Sequence, residues 1–138
     1  MTDQDFVPGA EGYMLADWEK AEGVATSEGF LKPLIATKNV SVTALEIAPG
    51  DEVLPHNHNG LPYFEVVLYV VEGDLEIIFR DKRVPVKKGM AIMADPNEHG
   101  WVNRSEETVK VLMIHSPPPS WQSAEEFLEK VRRYQNQK

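Results

Sequence analysis

Short apolar runs punctuated by glycine and proline recur along the chain, and their period is two rather than 3.6. NVSVTALEI, Asn39 to Ile47, alternates in the manner of a strand with one buried face, with Val40, Val42 and Ala44 as core candidates and Leu45 or Ile47 as further ones; APG ends it. EVLPHNH predicts a second strand on which Leu54, His56 and His58 share a face. FEVVLYVV, apolar on both faces, reads as a well-buried strand. After the turn EGD, LEIIF sets Leu75, Ile77 and Phe79 on one face; RDK turns again, and the proline in VPV argues for an edge strand or a strand end. KKGMAIMADPNEHGWVN gives a strand, a turn at Asp95-Pro96-Asn97 and another strand starting near His99, and TVKVLMIHS is the last strong strand, closed by PPP.

The two ends differ from this middle. Residues 1–29 are poorly periodic and read as an N-terminal arm anchored by Tyr13 and Trp18. In residues 120–138, Phe127, Leu128, Val131 and Tyr134 fall at helical spacing, and Ser123 with Glu126 makes a capping-box pattern. One C-terminal α-helix packed on the outside of a β body spanning 30–119 is the expectation. About eight to ten short strands at regular spacing indicate an all-β sandwich or barrel.

At 138 residues and 15.6 kDa the chain is most simply one domain with a core of useful size. There is no cysteine, which excludes disulfides, thiolate-ligated metals and a thiol nucleophile. The net charge of −8, with no basic block, argues against nucleic acid as a partner. The N-terminus is acidic where a secretory signal carries positive charge, and the longest apolar run, Val66 to Val71, is far shorter than a membrane span. A soluble, cytoplasmic protein that does not engage membranes is expected.

The chemistry concentrates in PHNHNGLPYFEVVLYVVEG, Pro55 to Gly73. Histidines at i and i+2 on a strand point the same way, about 6–7 Å apart along the chain, a spacing that suits two ligands of one metal ion. Neutral imidazole is a common nitrogen ligand of zinc, iron, nickel, copper and manganese. His99 and His115 complete the set of four histidines. His115 shares a strand face with Val109, Val111 and Met113; a satisfied strand-end histidine is its ordinary reading and a catalytic role the alternative. Tyr63, Phe64, Tyr69 and Trp101 are candidates for pocket walls, with core packing as the ordinary reading of each and a catalytic role a further alternative for Tyr63.

Gly50, five residues, His56-Asn57-His58 and a close at Gly73, followed by Gly89, an apolar run, a proline turn and His99 with Asn103 four residues on, resembles the two motifs of the cupin superfamily over Gly50 to Asn103. The resemblance implies a double-stranded β-helix, or jelly-roll, barrel. It also implies one divalent metal ion (iron, manganese, nickel or zinc) held inside by His56, His58 and His99. The family's glutamate is displaced here: counting back from Gly73 it falls on Val66, and counting forward from His58 on Pro62 or Tyr63. Glu65 is the nearby carboxylate. A β-bulge would turn it inward and complete a four-ligand site, whereas strict alternation puts it opposite Val66, Leu68 and Val70 and leaves three histidines. In the second motif Asn97 stands where the family has glycine, and one residue is missing before His99; asparagine tolerates the left-handed conformation a turn needs.

Two functions follow from the resemblance. One is a metal-dependent enzyme, oxidoreductase-like by default and otherwise isomerase- or decarboxylase-like, acting on a small polar organic substrate. The other is a non-catalytic small-ligand-binding or sensory cupin. The family also suggests a homodimer, in which residues 1–29 are long enough to reach a neighbour.

Overall fold

Ten strands form two antiparallel sheets in the computed structural model, which describes residues 12–56, 64–93, 95, 98–118 and 128–129, with His56 described in its backbone. They are β1 (Val24–Thr26), β2 (Gly29–Ala36), β3 (Ser41–Ile47), β4 (Glu52–His56), β5 (Glu65–Glu72), β6 (Asp74–Phe79), β7 (Lys82–Lys87), β8 (Ala91–Met93), β9 (His99–Val102) and β10 (Val109–Ser116). The larger sheet runs β1-β2-β3-β10-β5-β8 and the smaller β4-β9-β6-β7, so most neighbours in space are distant in sequence. The core lies between the sheets. Leu45 and Ile47 of β3, Val66, Leu68 and Val70 of β5, and Val109, Val111 and Met113 of β10 cluster with Leu75 and Ile77 of β6, Val86 of β7 and Trp101 of β9. Each such side chain contributes about 1.5–3 kcal/mol by leaving water, and this inter-sheet contact dominates the packing.

The turn from β5 to β6 is made by Gly73 at φ +94°, where an added Cβ would also sit 3.0 Å from a Val109 methyl. The smaller sheet presents Leu75 and Ile77 inward as expected, with Phe79 half-buried at the strand end. β7, with Pro85, is an edge strand.

Three expectations change. On β3 the alternation holds but in the other phase: Leu45 and Ile47 are in the core, Val40 and Val42 are half-buried, and Ala44 is buried on the opposite face. The physical reason is that the inward positions ahead of Leu45 are filled by polar residues, Ser41 and Thr43, both fully buried. β5 lies inside its sheet, next to the edge strand β8, but is buried on one face only, with Tyr69 38% exposed on the other. On β4, Leu54 is exposed and does not share the face toward the core; Val53, opposite Trp101, does.

Trp18 is the anchor the sequence suggests. Its Nε1–H donates to Glu46 Oε2 at 2.8 Å, its carbonyl accepts from Lys32 Nζ at 2.8 Å, and the Lys110 ammonium stands 5.8 Å from its ring. Tyr13, by contrast, is exposed. The expected C-terminal helix lies outside the described residues apart from Leu128 and Glu129; Leu128 is buried in the core cluster. Among the described residues no helix is long and apolar enough to cross a membrane.

Candidate metal and ligand site

The pairing of β4 with β9 shifts register between Val53 and His56: three steps on β4 match two on β9. The extra residue is a β-bulge, and Pro55, which has no N–H to donate, sits in it. Glycine at position 100 is what lets the bulge close over β9. A Cβ there would strike the Val53 carbonyl oxygen and lie 2.7 Å from both the Leu54 carbonyl carbon and the Pro55 nitrogen. The consequence is that the backbone of His56 comes directly opposite His99, and opposed Cα atoms in an antiparallel ladder are about 4.5–5.5 Å apart. Without the bulge, His99 would face a residue of the other parity.

His99 is buried at 5% exposure, and its ring is held on two sides. Its Nδ1–H donates to the Asp95 carbonyl oxygen at 2.9 Å. A carbonyl only accepts, so in the neutral ring the proton is on Nδ1 and the lone pair on Nε2, the form in which a histidine ligates metal. The Trp101 indole stacks on the ring at 5.9 Å between centroids and 20° between planes. Directly before it, Glu98 has φ +120° and Arg80, in the β6–β7 turn, φ +58°, a region that non-glycine residues seldom occupy. The two strained residues hold each other: Arg80 N–H donates to the Glu98 carbonyl at 3.2 Å and Arg80 Nε donates to Glu98 Oε2 at 2.6 Å. That carboxylate holds the Arg80 guanidinium above its ordinary pKa.

Glu65 is exposed at the head of β5, on the face away from Val66, Leu68 and Val70. The strand does carry a register shift, but at its far end, where Lys110 and Val111 of β10 pair with Glu72 and Val70. Alternation at Glu65 is therefore undisturbed, and the inward turn envisaged for it does not occur. Val66 takes the inward position, as counting back from Gly73 indicated. His58 and Tyr63 lie outside the described residues, as does Asn97. Among the described residues no group of three histidine, aspartate or glutamate side chains is arranged to hold a metal ion.

His115 sits on β10 between Ser41 of β3 and Val66 of β5, all three on the inward face. The Phe64 ring covers it at 5.6 Å between centroids, tilted by 45°. One rung along, Thr43 pairs with Met113. The hydroxyls of Ser41 and Thr43 are buried and have no hydrogen-bond partner among the described residues, a condition that costs about 1–3 kcal/mol per group. Sequence reading missed both; the signal was the second phase of SVTALEI, in which they share a face with Leu45 and Ile47. It also missed the Arg80–Glu98 clamp, which has no sequence signature.

Asn103, the last residue of the second motif, is fully buried and structural. Its Nδ2 donates to the carbonyls of Ile47 and Glu107 at 2.9 and 2.8 Å, and its Oδ1 accepts from the Ser105 N–H and hydroxyl. It ties the β3–β4 turn to the loop between β9 and β10, with Gly50 N–H donating to its carbonyl at 2.8 Å.

The sequence matches the cupin domain over residues 44–115. No protein of curated function matches. Among solved structures, KdgF from Halomonas sp. superposes with a TM-score of 0.65 at 21% identity, covering 78% of this chain and 94% of its own. The polyketide cyclase RemF from Streptomyces resistomycificus gives 0.63 at 21% identity, covering 77% and 80%. A sugar phosphate isomerase of the cupin superfamily from Silicibacter pomeroyi gives 0.60 at 20% identity, covering 75% and 76%. At these identities the likeness establishes the fold.

Proposed function

The chain belongs to the cupin family, and on that premise we propose that it is a metal-binding enzyme acting on a small polar organic substrate, with one divalent ion held by His56, His58 and His99. The observation that carries the reading is His99: buried, opposite His56 in the ladder, and fixed by Asp95 in the tautomer that leaves Nε2 as the donor. The donor set suits the ion, since imidazole accommodates iron, nickel and zinc alike. Three neutral ligands leave the charge of the ion uncompensated and positions open, so it would polarise a bound oxygen atom as a Lewis acid. The chain's own residues do the rest. The stacked Trp101 and the Arg80–Glu98 clamp keep His99 from swinging, Phe64 shields His115 from water, and His115 stands on the inward face as the candidate for carrying a proton. Glu65, exposed, takes no part in this arrangement, which makes the three-histidine form the better supported one.

Among proteins of similar fold, the names of a polyketide cyclase and a sugar phosphate isomerase point to oxygen-rich small molecules, which supports that substrate class here. We place the protein in the cytoplasm as a homodimer, with the exposed Tyr13, Met14 and Leu15 available to a second subunit. A second reading, a binding cupin without turnover, is favoured by one observation: an inward valine, Val66, occupies the position that counting back from Gly73 assigns to the family's metal-binding glutamate. Incubating metal-loaded protein with hydroxy acids, keto acids and sugars, and following the mixtures by proton NMR with oxygen uptake in parallel, separates the two. Substrate loss that requires the metal and disappears in His99→Ala supports the enzyme. Binding without loss supports the second reading.

A further inference from the structure

We propose that Ser41 and Thr43 form a ligand-recognition wall inside the barrel, specific for an uncharged polyhydroxylated or hydroxy-carbonyl segment of at least three carbons. The inference rests on the interior site proposed above and says which end of the ligand that wall reads. Two buried hydroxyls on the inward face of β3 have no partner among the described residues. Proteins bury polar groups with partners or with ordered molecules that serve as partners, so a pair of such groups on one wall marks a place where something else supplies the hydrogen bonds. The wall is continuous with the candidate site, because Ser41 pairs with His115, which in turn pairs with Val66, the position that counting back from Gly73 assigns to the family's glutamate.

Its chemistry sets the ligand class. Residues two apart on a strand are roughly 6.6 Å apart, too far for both hydroxyls to hold one atom and suited to two oxygens separated by a short carbon chain. A hydroxyl donates and accepts, so it matches a hydroxyl or a carbonyl equally. The buried polar side chains among the described residues are Ser41, Thr43, His99, Asn103 and His115, with no lysine or arginine, so nothing on this wall favours an anion.

The test uses dihydroxyacetone and erythrulose as uncharged probes and lactate as the charged comparator, with binding followed by saturation-transfer NMR on wild type, Ser41→Ala and Thr43→Val. Each protein is measured both metal-loaded and metal-stripped. The metal-stripped wild type is expected to bind the uncharged probes in preference to lactate, and in both forms each variant to bind the uncharged probes about fivefold more weakly, the worth of one hydrogen bond. Thr43→Val is expected to melt at the same temperature or higher, since it removes a hydroxyl that lacks a partner. Equal affinity in wild type and variants, no binding to the wild type, or a lower melting temperature for Thr43→Val would each overturn the proposal. Hydroxyl-dependent binding that persists in a protein unable to take up metal would leave this wall standing and remove the metal-dependent reading. Metal uptake with hydroxyl-independent binding would do the reverse.

Discussion

Replacing Gly100 with alanine attacks a place where the β4 bulge and the strand carrying His99 meet backbone to backbone. The new methyl group would meet the Val53 carbonyl oxygen and lie 2.7 Å from two further backbone atoms, the Leu54 carbonyl carbon and the Pro55 nitrogen. None of these can rotate away as the tip of a side chain could. Overpacking of this kind costs about 1–3 kcal/mol, and the upper part of that range applies because main chain must move on both strands. The entropy that glycine loses on folding offsets about 0.5–1 kcal/mol of it. The net expectation is a loss of about 2 kcal/mol, or roughly 8 °C in melting temperature for a domain of this size, read by circular dichroism. Because the displaced segment carries His56, opposite His99, metal affinity should fall in the same variant, at least tenfold by titration. A Gly100→Ala protein that melts within about 2 °C of wild type and binds metal unchanged would refute the view that the bulge sets the register of the two histidines.

Other perturbations follow from the same geometry. Asn103→Ala strands the buried carbonyl of Ile47 and removes a partner from the less buried backbone at Ser105 and Glu107 and should cost about 2 kcal/mol in urea unfolding, with metal stoichiometry in the folded fraction unchanged. Val66→Glu restores an inward carboxylate beside His115; it should lower the stability of the metal-free protein and raise metal affinity about tenfold or more, seen as a larger metal-induced rise in melting temperature. Glu76 is held below the usual carboxylate range, first by its hydrogen bond from Arg83 and also by Arg104. A depressed acid contributes stability above its unfolded pKa, and that contribution is lost as pH falls through the folded value. Melting temperature should therefore drop on acidification below about pH 4.5, the ordinary value for the group, and Glu76→Gln should flatten that part of the profile.

The fold was largely legible because its main signals are local. Gly50, Gly73 and the alternating runs of β6 and β10 mark ends and faces without reference to the rest of the chain. What escaped was what depends on a partner strand. The phase of β3 was ambiguous because Ser41 and Thr43 are polar and inward, against the rule that polar positions face water. The bulge at Leu54-Pro55 exists only in relation to β9, and it moves Leu54 off the face that period two assigns it. The same dependence governs which way Glu65 faces. Two spacings disagreed about the family's carboxylate, and the choice rested on where β5 bulges against β10, which is near Val71 rather than at the strand's head. The Arg80–Glu98 clamp joins residues 18 apart through backbone strain, for which sequence offers no mark. His99 is singled out by a motif, whereas its hydrogen bond to Asp95 is invisible in sequence for the same reason as the clamp.

In the proposed site His56, His58 and His99 hold one metal ion without a carboxylate from Glu65. Untagged protein, reconstituted in turn with iron, manganese, nickel and zinc, would be analysed by elemental mass spectrometry beside His56→Ala, His58→Ala, His99→Ala and Glu65→Gln. The account requires close to one ion per chain in the wild type and in Glu65→Gln, and its loss in each histidine variant. No metal in the wild type, or its loss in Glu65→Gln, would contradict it.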